Sequence, residues 1–269
     1  AIGIQRATGD ILGFFCADNR LIDPGFLEAL VSAASAPGVV GAYPARYAWM
    51  PDDPPLNRYF ALLGANDPLC WWLGKADRES YLRRDGGRMG DTVQRLPRQV
   101  CFRTRIPTLG DNGFFVKAAL IKPFVQDPSR HFCIDVCEDM RRAGLYTYAI
   151  VTDHVLWHRT GLSWGTYFRK RWRYTRQLYW NQLPLRRWRM VDTPRDYLYV
   201  AGFVLASLCI LPHLWVSCRG YRRVRDPAWA LHPLICLGLT CLYGAAWGEH
   251  LARRWWSAVS GGLKHSPPV

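Results

Sequence analysis

Residues 7–19 read ATGDILGFFCADN, an apolar run that stops abruptly on Asp18 and Asn19. A run this short and this apolar reads as a central strand of a parallel sheet, covered on both faces. Open α/β folds bind ligands at the carboxyl ends of such strands, so Asp18 is placed to hold a metal or a ribose. A polar pair that merely starts a loop is the competing reading of the same letters. Three further stretches carry groups able to do chemistry. LGDNG sets Asp111 and Asn112 in a turn, where they either line a pocket or satisfy the turn itself. HFCIDVCEDMRRAG (131–144) carries Asp135, Glu138 and Asp139, and Asp135 and Asp139 are four apart on one helix face. Glu138 and Asp139 can also be surface charges paired with Arg141 or Arg142. LYTYAIVTDHVLWHRTG then ends an apolar strand in Asp153, His154 and His158, and His158 is either a site residue or a structural histidine.

Chain punctuation supplies the elements that must position these groups. Ile11–Phe15 is expected as a central strand that brings Asp18 to a cleft near Asp135. In RLIDPGFLEALVSAASAPG, Asp23 is the expected N-cap, Pro24 suits the first helical position, and Pro37-Gly38 ends the helix. Phe26, Leu27, Leu30 and Val31 give that helix its apolar face. VVGAYPARY (39–47) reads as the next strand. Residues 49–108 read as a long, partly helical insertion of the kind that shapes a substrate pocket. LGDNGFFVKAAL is a turn, an apolar run and a helix. Phe132, Val136, Met140 and Ala143 then recur at helical spacing before Gly144 closes the element.

The formal charge of +14 is unevenly spread. Residues 1–160 hold 19 Lys+Arg against 17 Asp+Glu, whereas residues 161–269 hold 16 against 4. The excess lies beside apolar stretches rather than on the α/β part, which favours an anionic membrane surface and argues against nucleic acid. YLYVAGFVLASLCILPHLWV (197–216) and AWALHPLICLGLTCLYGAAW (228–247) carry no formal charge, and each is long enough to cross a bilayer as a helix. Kinks are expected at Pro212-His213 and His232-Pro233, with Trp215, Trp229 and Trp247 near the ends. Buried helices of a soluble domain are the alternative. SWGTYFRKRWRYTRQLYWNQL (163–183) is an amphipathic helix by its spacing. Trp164, Phe168, Trp172, Thr175, Tyr179 and Leu183 form one stripe opposite Arg169, Lys170, Arg173 and Arg176, which suits a membrane interface. Nine Lys/Arg in 161–195 place that side in the cytoplasm, yet four Arg in the connecting RGYRRVRDP would then face outward. A re-entrant pair that never crosses removes the conflict. Nine cysteines without CxxC pairs fit reduced, mostly buried thiols of a cytoplasmic compartment.

Taken in order, AIGIQRATGDILGFFCADNRLIDPGFLEAL, TLGDNGFFVKAAL and HFCIDVCEDMRRAGLYTYAIVTDHVLWHR resemble the central stretch, the acceptor-side strand and helix, and the acidic helix of a family 2 glycosyltransferase. The resemblance covers about residues 1–160. It implies an α/β, Rossmann-like GT-A domain over 1–160, then a basic amphipathic segment (161–195), two transmembrane helices (196–248) and a tail (249–269). It further implies an inverting transferase on the cytoplasmic face of the cell inner or plasma membrane. Such an enzyme moves a sugar from a nucleotide-diphosphate donor to a lipid-linked or polysaccharide acceptor with Mg²⁺ or Mn²⁺. Asp18 matches the last Asp of the family's DxD metal motif, and Cys16 stands at the first. Asp135 is the expected general base, with Glu138 and Asp139 as fallbacks, and Cys133 falls on the family's usual base position. Asn19, Asp111, Asn112 and His158 are the implied donor- and acceptor-binding residues. Arg171 and Trp172, in FRKRWRY, resemble the basic-aromatic motif that grips the donor pyrophosphate. The family's base-binding first strands and helices would precede Ala1. The cysteines at two acidic positions leave a second expectation, a degenerate, non-catalytic membrane scaffold.

Overall fold

The computed structural model describes residues 1–82, 91–95, 98–125, 132–177 and 182–262. A short helix α1 (Ile2–Arg6) precedes strand β1 (Ile11–Phe14), and a two-residue strand β2 (Asn19–Arg20) follows after one turn. Next come α2 (Phe26–Ser35), β3 (Gly41–Tyr47), α3 (Pro55–Leu63), α4 (Pro68–Trp72), β4 (Asp91–Arg95) and β5 (Arg98–Cys101). β6 (Phe114–Lys117), α5 (Ala118–Ile121), α6 (Cys133–Arg142) and β7 (Thr147–His158) complete the α/β part. The remainder is helical: α7 (Trp164–Tyr174), α8 (Pro194–Cys209), α9 (Leu211–Arg223) and α10 (Leu231–Gly262).

The strands run in the order β1-β6-β3-β7-β5-β4, and β2 pairs with the far end of β7. Only β3 and β7 are parallel, so the sheet is mixed. β1 is therefore not the central parallel strand expected. It is an edge strand, antiparallel to β6, and its side chains are half-buried or exposed rather than covered on both faces. A short apolar run does not say which neighbours it will have, and here the antiparallel return of β6 takes the place beside it. The insertion at 49–108 also does more than wrap a pocket, because β4 and β5 extend the sheet. Pro44 sits inside β3, where the register with β7 shifts between Pro44 and Arg46. Proline offers no N–H to a ladder and is tolerated at such an irregularity. The shift turns Tyr47 to the face of Ala42, opposite Tyr43 and Ala45.

α2 covers one face of the sheet through Phe26 and Leu30, both fully buried against Ala42, Phe115 and Leu156. Leu27 and Val31, expected on the same apolar face, are exposed. Asp23 lies two residues before the N-cap, which is Gly25. Its Oδ1 accepts from the Gly25 amide at 2.9 Å, and its other oxygen meets Nδ1 of His154. α6 covers the opposite face through Val136, Cys137 and Met140. It ends as its sequence implies: Gly144 has φ +88° and the Leu145 amide donates to Met140 O at 2.9 Å.

The C-terminal helices pack on α3 and α4 rather than standing apart. Tyr59 and Phe60 of α3 meet Tyr167 of α7, Val216 of α9 and Ile235 and Leu239 of α10 in one core. The basic amphipathic helix buries Tyr167, while Trp164 of the expected aromatic stripe is exposed. Leu183 lies in a separate turn beyond α7, and Tyr179 lies outside the described residues.

The first apolar stretch is not one helix. α8 and α9 meet at 86° across Ile210, a β-branched residue held at φ +63°. Pro212 fits the break, since it offers no N–H to a preceding turn and suits the first turn of α9. Among the described residues, one stretch, Pro227–Arg253, is long and apolar enough to cross a membrane as a straight helix. Of the two such helices expected one is present, and the bent pair beside it counts as a second only if it is one broken span.

Both ends of that bent pair are tied to the α/β part. Fully buried Lys75 donates to Met190 O at 2.7 Å and to Asp196 at 2.9 Å, and Asp196 with Thr193 forms the capping box that starts α8. Past α9, Asp226 accepts from Trp49 Nε1 at 2.6 Å and pairs with Arg58 at 2.9 Å. The chain therefore leaves the α/β part at α8 and returns to it at the end of α9. This places the arginine-rich turn on the side from which α8 departs, as a re-entrant pair would.

The seam between α9 and the turn after it depends on Gly220. A Cβ there would meet the indole of buried Trp229 at 2.3 Å. Alanine gains about 1 kcal/mol of helix propensity over glycine, but overpacking costs about 1–3 kcal/mol. Gly220→Ala is expected to lower the urea midpoint of unfolding; an unchanged or raised midpoint would show that Trp229 is free to move aside.

Candidate functional site

The polar groups expected at the end of β1 do meet there. β2 lies antiparallel to the end of β7 with Asn19 opposite His158, so Asp18 and the imidazole become neighbours. Nε2 of His158 stands 3.2 Å from Asp18 Oδ2, and the Arg159 amide donates to Asp18 O at 2.9 Å. A carboxylate only accepts, so Nε2 carries the proton in this contact. Burial depresses the pKa of His158, an effect larger than the opposing pull of Asp18, and the ring is neutral at neutral pH. Oδ1 of Asp18 is buried and has no hydrogen-bond partner among the described residues.

Asn19 organises the turn instead of pointing away from it. Its Oδ1 accepts from the Cys16 amide at 2.9 Å, and its Nδ2 donates to Asn112 Oδ1 at 3.1 Å. That second bond joins the β1 turn to the LGDNG turn. Asn112 has φ +55°, a conformation Asn tolerates better than most residues. Gly110, at φ +118°, passes so close to the start of α6 that a Cβ would meet Cβ of Cys133 at 2.6 Å. Asp111 is thereby set beside two thiols, hydrogen-bonding to Cys133 and acting electrostatically on Cys16. Burial, helped by Asp111, pushes Cys133 up to about 12. Burial, then Asp111 and Asp18, raises Cys16 as well. Both are neutral thiols at physiological pH. Lys170 of α7 pulls Cys16 weakly the other way through its charge.

A second ring of residues holds this cluster, and sequence reasoning missed it. The buried guanidinium of Arg78 donates to Asn112 O and lies over the rings of Tyr43 and Tyr47, 5.4 and 5.1 Å from their centroids. Tyr47 donates its hydroxyl to Asp77, and its ring lies 5.1 Å from that of His158. Asp77 and Arg78 come from GKADRES, a stretch with no periodicity to single it out. Lys75 and Glu79 flank the pair with further charges, so nothing local in the sequence singles it out.

The acidic helix is arranged differently from the expectation. Asp135 is fully buried on α6, and both of its oxygens are taken. Arg186 Nε donates to Oδ2 at 2.8 Å, and the Trp188 amide donates to Oδ1 at 2.9 Å. A base needs an accessible lone pair for the acceptor proton, so this geometry does not support that role for Asp135. Glu138 accepts from Arg141 at 2.8 and 2.7 Å and from Arg142 at 2.9 Å. Burial raises its pKa, but the two guanidiniums outweigh that and leave it below the usual range. Asp139 pairs with Arg187 at 2.6 Å and is raised by burial more than Arg187 lowers it. The helix thus spends its carboxylates on the segment that follows α7 and on its own last turn. It presents Cys133, not Asp135, to the Asp18 cluster.

Arg171 and Trp172 also lie outside the cluster. Arg171 donates to Asn66 O at 2.6 Å and pairs with Asp67, the N-cap of α4, at 3.3 Å. Trp172 lines a separate open depression of about 270 Å³ with Arg173, Arg176, Gln177 and Arg253.

The cation implied by the family resemblance can be tested against these groups. Mg²⁺ and Mn²⁺ take hard oxygen ligands, and Mg²⁺ is often held by one or two carboxylates with the rest supplied by phosphates and water. The unpartnered Oδ1 of Asp18 fits that demand. Cys16, a neutral thiol, does not, and the amide of Asn19 is occupied. One hard ligand with His158 behind it is a workable but weakly charged cation site.

Asp18, Asn19, Asp111, Asn112 and His158 therefore form one polar cluster at the end of the sheet, while Asp135, Glu138, Asp139, Arg171 and Trp172 serve contacts elsewhere. The chain matches no protein-family model, no curated protein and no solved structure.

Proposed function

We infer that the chain is a membrane-associated, GT-A-like inverting glycosyltransferase domain that binds a nucleotide-diphosphate sugar at the Asp18 cluster. One observation carries the reading. Asp18 Oδ1, buried and without a hydrogen-bond partner among the described residues, belongs to a cluster at which the charge of Lys170 is felt. Asp18 would hold a Mg²⁺ or Mn²⁺ ion, which when bound neutralises the diphosphate as the nucleotide leaves. Neutral His158 fixes the Asp18 carboxylate by donating to Oδ2, leaving Oδ1 to the cation. Arg78, Asn112 and Asn19 keep the two turns in register. The acceptor, a lipid-linked or glycan hydroxyl, must lose its proton as it attacks. Asp111 is the carboxylate best placed for that proton, being exposed and beside Cys133, the residue that occupies the family's usual base position.

The membrane reading follows from the exposed apolar side chains of the helical part. Leu198, Leu205, Leu208, Leu211 and Trp215 are all more than half exposed. Set on a re-entrant pair, such a surface seats in the acyl region while the arginine-rich turn meets anionic headgroups. The catalytic cluster would then work at the cytoplasmic face of the inner or plasma membrane.

A second reading has its own support. Neutral thiols at both Cys16 and Cys133 are what a degenerate, non-catalytic scaffold would carry. Calorimetric titration of the full-length protein with UDP, GDP and CDP, with and without Mn²⁺, tests both. Binding of one nucleotide that requires the cation is expected, and no cation-dependent binding of any would end the glycosyltransferase reading. Binding without sugar transfer to endogenous lipid acceptors would favour the scaffold.

A further inference from the structure

Three ligand-type side chains lie together in the helical part, far from Asp18 in the chain. His213 of α9 and His232 and Cys236 of α10 are all fully buried, and one ligand atom of each lies within 4.8 Å of the other two. His232 and Cys236 are four apart and share a helix face. We propose that His213, His232 and Cys236 form a structural site for a thiophilic divalent cation of the Zn²⁺ type, which joins α9 to α10 beside the break at Ile210.

The hydrogen bonds around the two rings carry the argument. Each imidazole has one nitrogen engaged by a hydroxyl. Tyr59 Oη is 2.7 Å from His232 Nδ1, and Ser207 Oγ is 3.1 Å from His213 Nε2. Each ring then has its other nitrogen left over. Among the described residues His213 Nδ1 is buried without a hydrogen-bond partner, a costly state for a polar atom in an apolar surround. His232 Nε2 lies 3.7 Å from Cys236 Sγ. In a tetrahedral zinc site, Zn–N and Zn–S distances of about 2.0–2.3 Å put neighbouring ligand atoms roughly 3.3–3.6 Å apart. The His232–Cys236 pair is already near that spacing, and a ligand atom of His213 lies within 4.8 Å of both. Metal-bound histidines characteristically donate their other N–H to a neighbouring oxygen, which fixes tautomer and orientation. Tyr59 and Ser207 stand where those oxygens are needed.

The donor set also selects the cation. Two imidazoles and a thiol, with no carboxylate among them, suit Zn²⁺ and reject Mg²⁺ and Mn²⁺. The site is thus distinct in chemistry from the one at Asp18, and it stands whether or not that reading holds. On binding, the Cys236 S–H bond breaks and a Zn–S bond forms, with the proton released to solvent and no change of oxidation state. The rings of Trp71, Trp72 and Phe203 stand edge-on against the two histidines, and a water would complete the tetrahedron as fourth ligand.

The test uses the full-length protein purified in detergent. Elemental analysis after dialysis against metal-free buffer should find one zinc per chain, falling to near zero in Cys236→Ser and in His213→Ala. Replacement by Co²⁺ should give the intense visible bands of a tetrahedral site and a thiolate charge-transfer band that Cys236→Ser loses. Added Zn²⁺ should raise the thermal midpoint of metal-stripped wild type and leave Cys236→Ser unmoved. If the variants do not fold, the wild-type protein decides alone. The proposal fails if wild type carries no stoichiometric zinc and Co²⁺ yields no thiolate band. It fails equally if Cys236→Ser keeps both the metal and the band.

Discussion

Asp135→Ala is expected to unfold at markedly lower denaturant than wild type, with a loss of about 3–5 kcal/mol, the range for breaking a buried ion pair by removing one partner. The mechanism lies in what remains. Arg186 is nine-tenths buried, lies over the Phe132 ring at 4.5 Å, and donates its Nε to the carboxylate that would be lost. The Trp188 amide would lose its acceptor in the same step. Trp188 also donates its indole N–H to Ile106 O at 3.1 Å, so the segment that Asp135 pins reaches across to the loop before β6. Asp135→Asn keeps an oxygen for one of the two donors and should fall between wild type and Ala. Urea unfolding of the three proteins checks the order. A wild-type midpoint in Asp135→Ala, together with lost sugar transfer, would return Asp135 to the catalytic role that the family resemblance assigns it.

The reversal over Asp135 shows what was legible in the sequence and what was not. Local signals survived. The turn at LGDNG, the strand and helix after it, and the helix closed by Gly144 all depend on backbone preferences a few residues long. Gathering Asp18, Asn19, Asn112 and His158 was also foreseeable, because each ends or borders an apolar run and such ends converge in an α/β sheet. Partners were harder. Nothing near Asp135 announces that Arg186, 51 positions later, will be folded against it. The same holds for Lys75 and Asp196, or for Asp226 and Arg58, where ionic contacts decide how the helical part attaches. β1 illustrates a different limit. An apolar run reports that it is buried somewhere, but edge or centre is settled by which strand comes to lie beside it. The first apolar stretch reads as one span with a kink at Pro212, and the bend does fall there, but its size, 86° across Ile210, was not legible.

Asp18→Asn and Asp111→Asn in the full-length protein should fail in different ways, and the difference tests the proposed division of labour. Asn at 18 removes the charged oxygen proposed to hold the cation and also weakens the acceptor for His158 Nε2–H. Nucleotide affinity should fall, by about tenfold or more if a carboxylate–cation contact worth roughly 1.4 kcal/mol is lost, and should become more dependent on Mn²⁺ concentration. Asn at 111 leaves Oδ1 of Asp18 untouched. It removes the carboxylate beside Cys133, where the acceptor proton is to be taken, so turnover should drop by about 10²-fold or more with nucleotide binding nearly unchanged. Asp111 is exposed and bonds to the Cys133 thiol of α6 rather than to a buried guanidinium, so its loss should cost far less stability than that of Asp135. Titration calorimetry with nucleotide and Mn²⁺, alongside initial rates, separates the two variants. Equal loss of nucleotide affinity in both would make Asp111 a second cation ligand rather than a base. Full turnover in Asp111→Asn would instead pass the proton to Asp139, the acidic-helix carboxylate that keeps most contact with solvent, and Asp139→Asn would then be the inactive protein.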